Sequence, residues 1–190
     1  MAKAFVFLEI TDPEISALIY GIRAIAMPSP PTSAPHVTIR GPYSRPVPRD
    51  QLLRNRRLLS SQPVVLGGVG AFQSGDHSTV YLKVQHPNLR QIWWKPDYPI
   101  KDFGFNPHVT LYEGDDAARA ERLQSFLRRE DVKVLTSDFS VSPYVSDHKD
   151  LFPRVEGKDR LFLGLINRGL VRADVLARLE RVLGHAKQAA

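Results

Sequence analysis

The chain contains no cysteine. That excludes disulfides, thiolate zinc sites and cysteine nucleophiles, and it fits a reducing, cytoplasmic setting, which is the expectation here. No apolar run is long enough to cross a bilayer, so no membrane association is expected. The apolar stretch from Met1 to Ile10 is broken by Glu9 and lacks a basic region followed by a small-residue cleavage site, so no secretory signal is expected. Low-complexity segments and domain-separating linkers are missing as well. Gly67-Gly68-Val69-Gly70 is rich in glycine but lacks the lysine and spacing of a phosphate-binding loop, and it reads as a strand with a bulge or bend.

The 190 residues are 43% apolar and 24% charged, enough to build a core in one domain or in two small lobes sharing one. The net charge of +6 attracts polyanions, nucleic acid among them. Much of that charge sits in helix-like segments such as Arg54-Asn55-Arg56-Arg57 and Arg128-Arg129, where a solvated helix face is the favoured reading.

Residues 3 to 10 read as a strand. Asp12 caps a helix, Pro13 suits its first turn, and Ile15, Leu18, Ile19, Ile22 and Ala26 recur at helical spacing. Strands are expected over 37–43, 64–72, 79–85, 109–113 and 161–166, with 132–141 extended. Helices are expected over 49–59, 89–94, 116–129 and 172–186, and 142–160 reads as a polar, irregular segment, an ordinary loop in the first place and a cover for a cleft or a contact for substrate in the second. Hairpin-like joins favour antiparallel pairing, so the fold class is α+β.

One feature dominates. Pro35-His36-Val37-Thr38-Ile39 is echoed, 72 residues on, by Pro107-His108-Val109-Thr110-Leu111. An internal repeat of this kind implies two equivalent strands in two related lobes of a single 1–190 domain. On a strand, residues i and i+2 share a face. His36 and Thr38 therefore share one face and bury Val37 and Ile39 behind them; His108 and Thr110 do the same with Val109 and Leu111. Continued alternation puts Arg40 and Tyr112 on the polar faces, as a phosphate clamp and an aromatic surface.

Two imidazoles and two hydroxyls facing one cleft suit phosphodiester cleavage. Histidine reaches both protonation states near neutral pH. One histidine takes a proton from the attacking oxygen and the other protonates the departing one, each worth about 100- to 10,000-fold in rate. The threonines donate hydrogen bonds to non-bridging phosphate oxygens. Which histidine is acid and which is base stays open. A metal site is the weaker reading, because each repeat supplies one imidazole and no evident carboxylate or cysteine set accompanies it; no metal and no cofactor are expected.

The paired His-x-Thr motifs, each preceded by proline on alternating strand-like residues, resemble the two-histidine (2H) phosphoesterase superfamily, and most closely its bacterial 2′-5′ RNA ligase and cyclic phosphodiesterase branch. The resemblance spans most of the chain. It implies a bilobal α+β fold with antiparallel sheets around a concave cleft. It also implies metal-independent action on 2′,3′-cyclic phosphates or 2′-5′ linkages of RNA ends or small nucleotides. His36, Thr38, His108 and Thr110 carry over as site residues. Arg40 fits a basic residue often found after a motif, whereas Tyr112 departs from it.

Tyr43 and Phe105 lie near the motifs and are further candidates to stack on a base, with core or rim packing an equal reading for each. Trp93 and Trp94 read as packing residues, and His77, His86 and His185 as surface ones. The leading functional expectation is hydrolysis of a 2′,3′-cyclic phosphate by a monomeric enzyme. Its rivals are cleavage or ligation of linear 2′-5′ or 3′-5′ linkages, and a non-catalytic RNA-end or nucleotide binder.

Overall fold

In chain order the elements are β1 (Lys3–Ile10), α1 (Pro13–Ala26), β2 (His36–Tyr43), α2 (Arg49–Leu59), β3 (Val64–Ser74), β4 (His77–Gln85), α3 (Leu89–Ile92), β5 (His108–Gly114), α4 (Ala117–Glu130), β6 (Lys133–Thr136), β7 (Phe139–Ser146) and α5 (Ala173–Gly184). The computed structural model describes residues 3–31, 33–93, 104–146 and 173–184. Trp94, His185, the strand expected over 161–166 and the polar segment beyond Ser146 lie outside the described residues.

The strands form two antiparallel sheets, one ordered β2-β1-β7 and the other β5-β4-β3-β6. The α+β expectation with two antiparallel sheets holds. Both repeated pentapeptides begin edge strands, β2 and β5, and these two edges pack against each other without a shared ladder.

Alternation builds the core. Val6, Leu8 and Ile10 of β1, Val37 and Ile39 of β2, Val80, Leu82 and Val84 of β4, and Val109 and Leu111 of β5 are all buried in one cluster. Each such side chain contributes about 1.5–3 kcal/mol by leaving water. Helix α1 adds Ile15, Leu18, Ile19, Ile22 and Ala26 as its spacing predicts, and α5 adds Val175, Leu176, Leu179 and Leu183. The opposite faces of β2 and β5 carry His36, Thr38, His108 and Thr110, all half-buried.

Local chemistry sets the boundaries. The Asp12 carboxylate accepts from the N–H groups of Glu14 and Ile15 at the start of α1. Its second oxygen accepts from the Thr136 hydroxyl at 3.0 Å, and the Asp138 carbonyl accepts from the N–H groups of Thr11 and Asp12. This cluster explains a departure from the sequence reading. Residues 132–141 are not one extended stretch: the chain breaks at 137–138, so β6 joins the second sheet and β7 crosses to the first. The hairpin between β3 and β4 is also tighter than expected, turning on Gly75 (φ +61°) and Asp76, so His77 is the first residue of β4 rather than a loop residue.

Candidate active site

The repeat extends well beyond five residues once its neighbours are in place. His36 Nδ1 lies 2.7 Å from the Ala34 carbonyl, and His108 Nδ1 lies 2.7 Å from the Asn106 carbonyl. A carbonyl only accepts, so each Nδ1 carries the proton and each Nε2 presents the lone pair. The prolines serve the same purpose twice. The Pro35 carbonyl accepts from the Ile10 N–H at 2.8 Å, and the Pro107 carbonyl from the Val84 N–H at 2.9 Å, tying each motif to the strand beside it.

An aromatic ring backs each imidazole. Phe7 lies opposite Thr38, with its ring centroid 4.3 Å from that of His36. Tyr81 lies opposite Thr110, with its ring 4.6 Å from that of His108. The Tyr81 ring reaches across β3 because residue 70 is glycine, and a side chain there would occupy the space of the ring. Tyr144 and Phe5 extend the array beside Phe7, and Phe72 extends the one beside Tyr81.

Burial pushes both imidazoles below their ordinary pKa. For His36 the hydrogen bond to Ala34 works against this, the Arg23 charge adds to it, Glu9 opposes and the His108 charge lowers it further. For His108 the Asn106 carbonyl and Glu113 oppose the effect of burial.

Alternation fails just past each motif, at the same place. Phe7 faces Thr38, but Val6 faces Arg40; Tyr81 faces Thr110, but Val80 faces Tyr112. A β-bulge thus follows the threonine in both strands and moves the residues beyond it off the polar face. Tyr112 is therefore not an aromatic surface of the site. It is buried in the core at 3% exposure, its hydroxyl donating to the Asp116 carbonyl and accepting from the Asp116 N–H, where α4 begins. Arg40 is likewise buried, with its guanidinium 5.2 Å from the Tyr43 ring and Nε donating to the Tyr43 hydroxyl at 3.4 Å. The two line a depression of about 270 Å³ with Arg45 and Gln51, beyond the bulge. Phe105 meets Trp93 edge-on, with Arg90 over its face.

Several residues of the site escaped the sequence reading. Arg23 is the most consequential. It is 2% exposed on α1, donating from Nε to the Thr110 carbonyl at 3.0 Å and from a terminal nitrogen to the Ser33 carbonyl at 3.1 Å. One buried guanidinium thus joins the second motif to the approach of the first. Burial pulls its pKa down to about 10, so it remains charged at neutral pH. Glu9 lies opposite His36 and accepts from the hydroxyls of Ser140 and Ser142, whereas Lys83 lies opposite His108. The available signals were an arginine on the apolar stripe of α1 and the polar alternation of β1 and β4. Among the described residues, no cluster of three or more potential metal-ligating His, Asp or Glu side chains forms.

Two antiparallel sheets that each bring a proline-led His-x-Thr edge strand to a common seam define a protein of the 2H phosphoesterase class. Residues 11–143 match the family model of the 2′-5′ RNA ligase superfamily, which is part of that class, and the chain belongs to this family. No curated protein matches the chain. Among the described residues, no helix is long and apolar enough to cross a membrane.

Proposed function

We propose that this chain is a metal-independent phosphodiesterase that opens 2′,3′-cyclic phosphates of RNA ends or nucleotides, with His36 and His108 as its acid–base pair. The observation that carries the reading is the matched pair of imidazoles, each with Nδ1 on a carbonyl and each beside a threonine two residues on.

Neutral Nε2 of one histidine accepts a proton from water as the water oxygen bonds to phosphorus. The bond from phosphorus to one ribose oxygen breaks, and that oxygen takes a proton from the second, protonated histidine. Thr38 and Thr110 donate to the non-bridging oxygens. The buried charge of Arg23 lends the seam a positive potential without itself meeting solvent. With a ribose hydroxyl of a second end attacking phosphorus in place of water, the same proton transfers join ends as the other ribose oxygen departs, and the family's description as RNA ligases favours a second reading in which 2′-5′ linkages are made or cut.

The test is turnover of the four nucleoside 2′,3′-cyclic phosphates, and of 2′-5′ and 3′-5′ dinucleotides, with and without chelator. Turnover of a cyclic phosphate that survives chelator and is lost in both His36→Ala and His108→Ala is expected. Loss with chelator removes the metal-free mechanism. Turnover of the 2′-5′ dinucleotide alone favours the second reading, and binding without turnover makes the chain a binding module.

A further inference from the structure

A second pocket lies on the face of the sheet that carries His108. It has a volume of about 580 Å³, in the size range of small-ligand sites, and its walls include Val65, Val84, Gln85, His86, Phe105 and Leu135. The register connects it to the candidate active site. Lys83 lies opposite His108, and Gln85 follows two residues later on the same face, about 7 Å along β4. Val65 lies opposite Gln85, and Leu135 lies opposite Val65. The row beyond Lys83 is therefore the pocket floor, continuous with the row that holds His108.

Two features of this pocket favour a ligand. First, Leu135 is 62% exposed and Phe105 is 37% exposed, two of the five large apolar side chains left at the surface among the described residues. Second, His86 is only 8% exposed, against the surface position expected from its place before Pro87. Its Nδ1 accepts from the Asn88 N–H at 3.1 Å, so Nε2 carries the proton. That buried Nε2–H has no hydrogen-bond partner among the described residues. A buried donor without a partner costs stability unless something meets it.

Resting on the phosphodiesterase reading above, we infer that this pocket takes the base of the nucleotide upstream of the one that bears the reacting phosphate, so that the substrate is an oligonucleotide end rather than a mononucleotide. Its apolar walls and the Phe105 ring suit the flat faces of a base. The Gln85 amide suits the acceptors and donors of a base edge, while the unpartnered His86 Nε2–H lies within the wall beside it. Lys83, standing between pocket and imidazole, pairs with the phosphate that links the two nucleotides. The pocket thereby gives the site a length preference that the paired motifs alone do not supply.

The experiment compares three ligands: a nucleoside 2′,3′-cyclic phosphate, a dinucleotide ending in that cyclic phosphate, and the same dinucleotide with its upstream base removed. Wild type and Leu135→Trp, which fills the pocket from an exposed position, are measured by kcat/KM and, on the corresponding 2′- and 3′-phosphate product analogues, by equilibrium binding. Wild type is expected to prefer the intact dinucleotide over both other ligands by about tenfold or more, mostly through KM. Leu135→Trp is expected to reduce that ratio to near one. No preference in wild type, or a preference that survives Leu135→Trp, overturns the inference. So does an equal loss on the mononucleotide, which would mean that the pocket holds the base of the reacting nucleoside itself. If none of the ligands turns over, the phosphodiesterase reading fails, and the binding ratios still decide whether the pocket recognises a base.

Discussion

The two halves of the site share a backbone plan and differ in side-chain chemistry. Both have the proline-tied edge strand, the Nδ1–carbonyl bond, the ring behind the imidazole and the bulge after the threonine. Around His36, however, stand Phe7, Glu9, Ser140 and Ser142; around His108 stand Tyr81, Lys83 and the open pocket. The repeat fixes where the two imidazoles sit, while the neighbouring strands set the charged and polar groups beside each. The residue directly opposite His36 is a carboxylate, Glu9, and the one opposite His108 is an ammonium, Lys83, so a substrate meets an asymmetric site built on a symmetric frame.

Removing the shared element has the largest expected effect. His36→Ala and His108→Ala should each lower kcat/KM by about 100- to 10,000-fold, with folding intact by circular dichroism. The double variant should lose little more than the worse single, because the pair acts as a unit. Next comes the link between the halves. Arg23→Met leaves the Thr110 and Ser33 carbonyls without their donor, and about 1–3 kcal/mol of stability should be lost in denaturant melts. Because the Arg23 charge holds the His36 pKa down, that pKa should rise in the variant, as read from its NMR titration.

The parts of this comparison that sequence revealed were local and periodic. His36, Thr38, His108 and Thr110 share strand faces because period two holds through each motif. Arg40 and Tyr112 were misplaced because a bulge has no residue signature here; it comes from pairing with Val6 and Val80, distant in the chain. The split at Ser137 was hidden for the same reason, since the choice of sheet for β6 and β7 depends on partners more than sixty residues away. Arg23 could be seen as a charge on an apolar stripe, but its acceptors belong to Ser33 and Thr110, which only the packing brings near. His86 looked like a surface residue because its burial depends on the tertiary fold around the turn that Asn88 closes.

Smaller effects sharpen the contrast. Lys83→Gln should weaken oligonucleotide binding severalfold and reduce the slope of log K against log salt by about one, whereas Glu9→Gln should leave that slope unchanged and lower the His36 pKa, since the Glu9 charge raises it. Smallest is the surface contact of His77 with Asp115 at 2.7 Å, which occurs in the second sheet only. The hydrogen bond to Asp115 raises the His77 pKa, so the contact stabilises the fold fully below the ordinary value of 6.5 and loses its effect as pH rises through the raised folded-state value. Asp115→Asn should therefore melt earlier than wild type at about pH 5.5 and together with it at about pH 9.

The paired-imidazole mechanism is tested most directly by the pH profile of kcat/KM for a nucleoside 2′,3′-cyclic phosphate in wild type and in the two alanine variants. One histidine must be neutral and the other protonated, and burial lowers both. The wild-type profile should therefore be a bell whose maximum lies on the acid side of about pH 6.5, its limbs belonging to the pair. Each alanine variant should fall at least about a hundredfold and lose one limb. A variant that keeps both limbs, or wild-type turnover that shows no bell, would contradict a reaction run by His36 and His108 together.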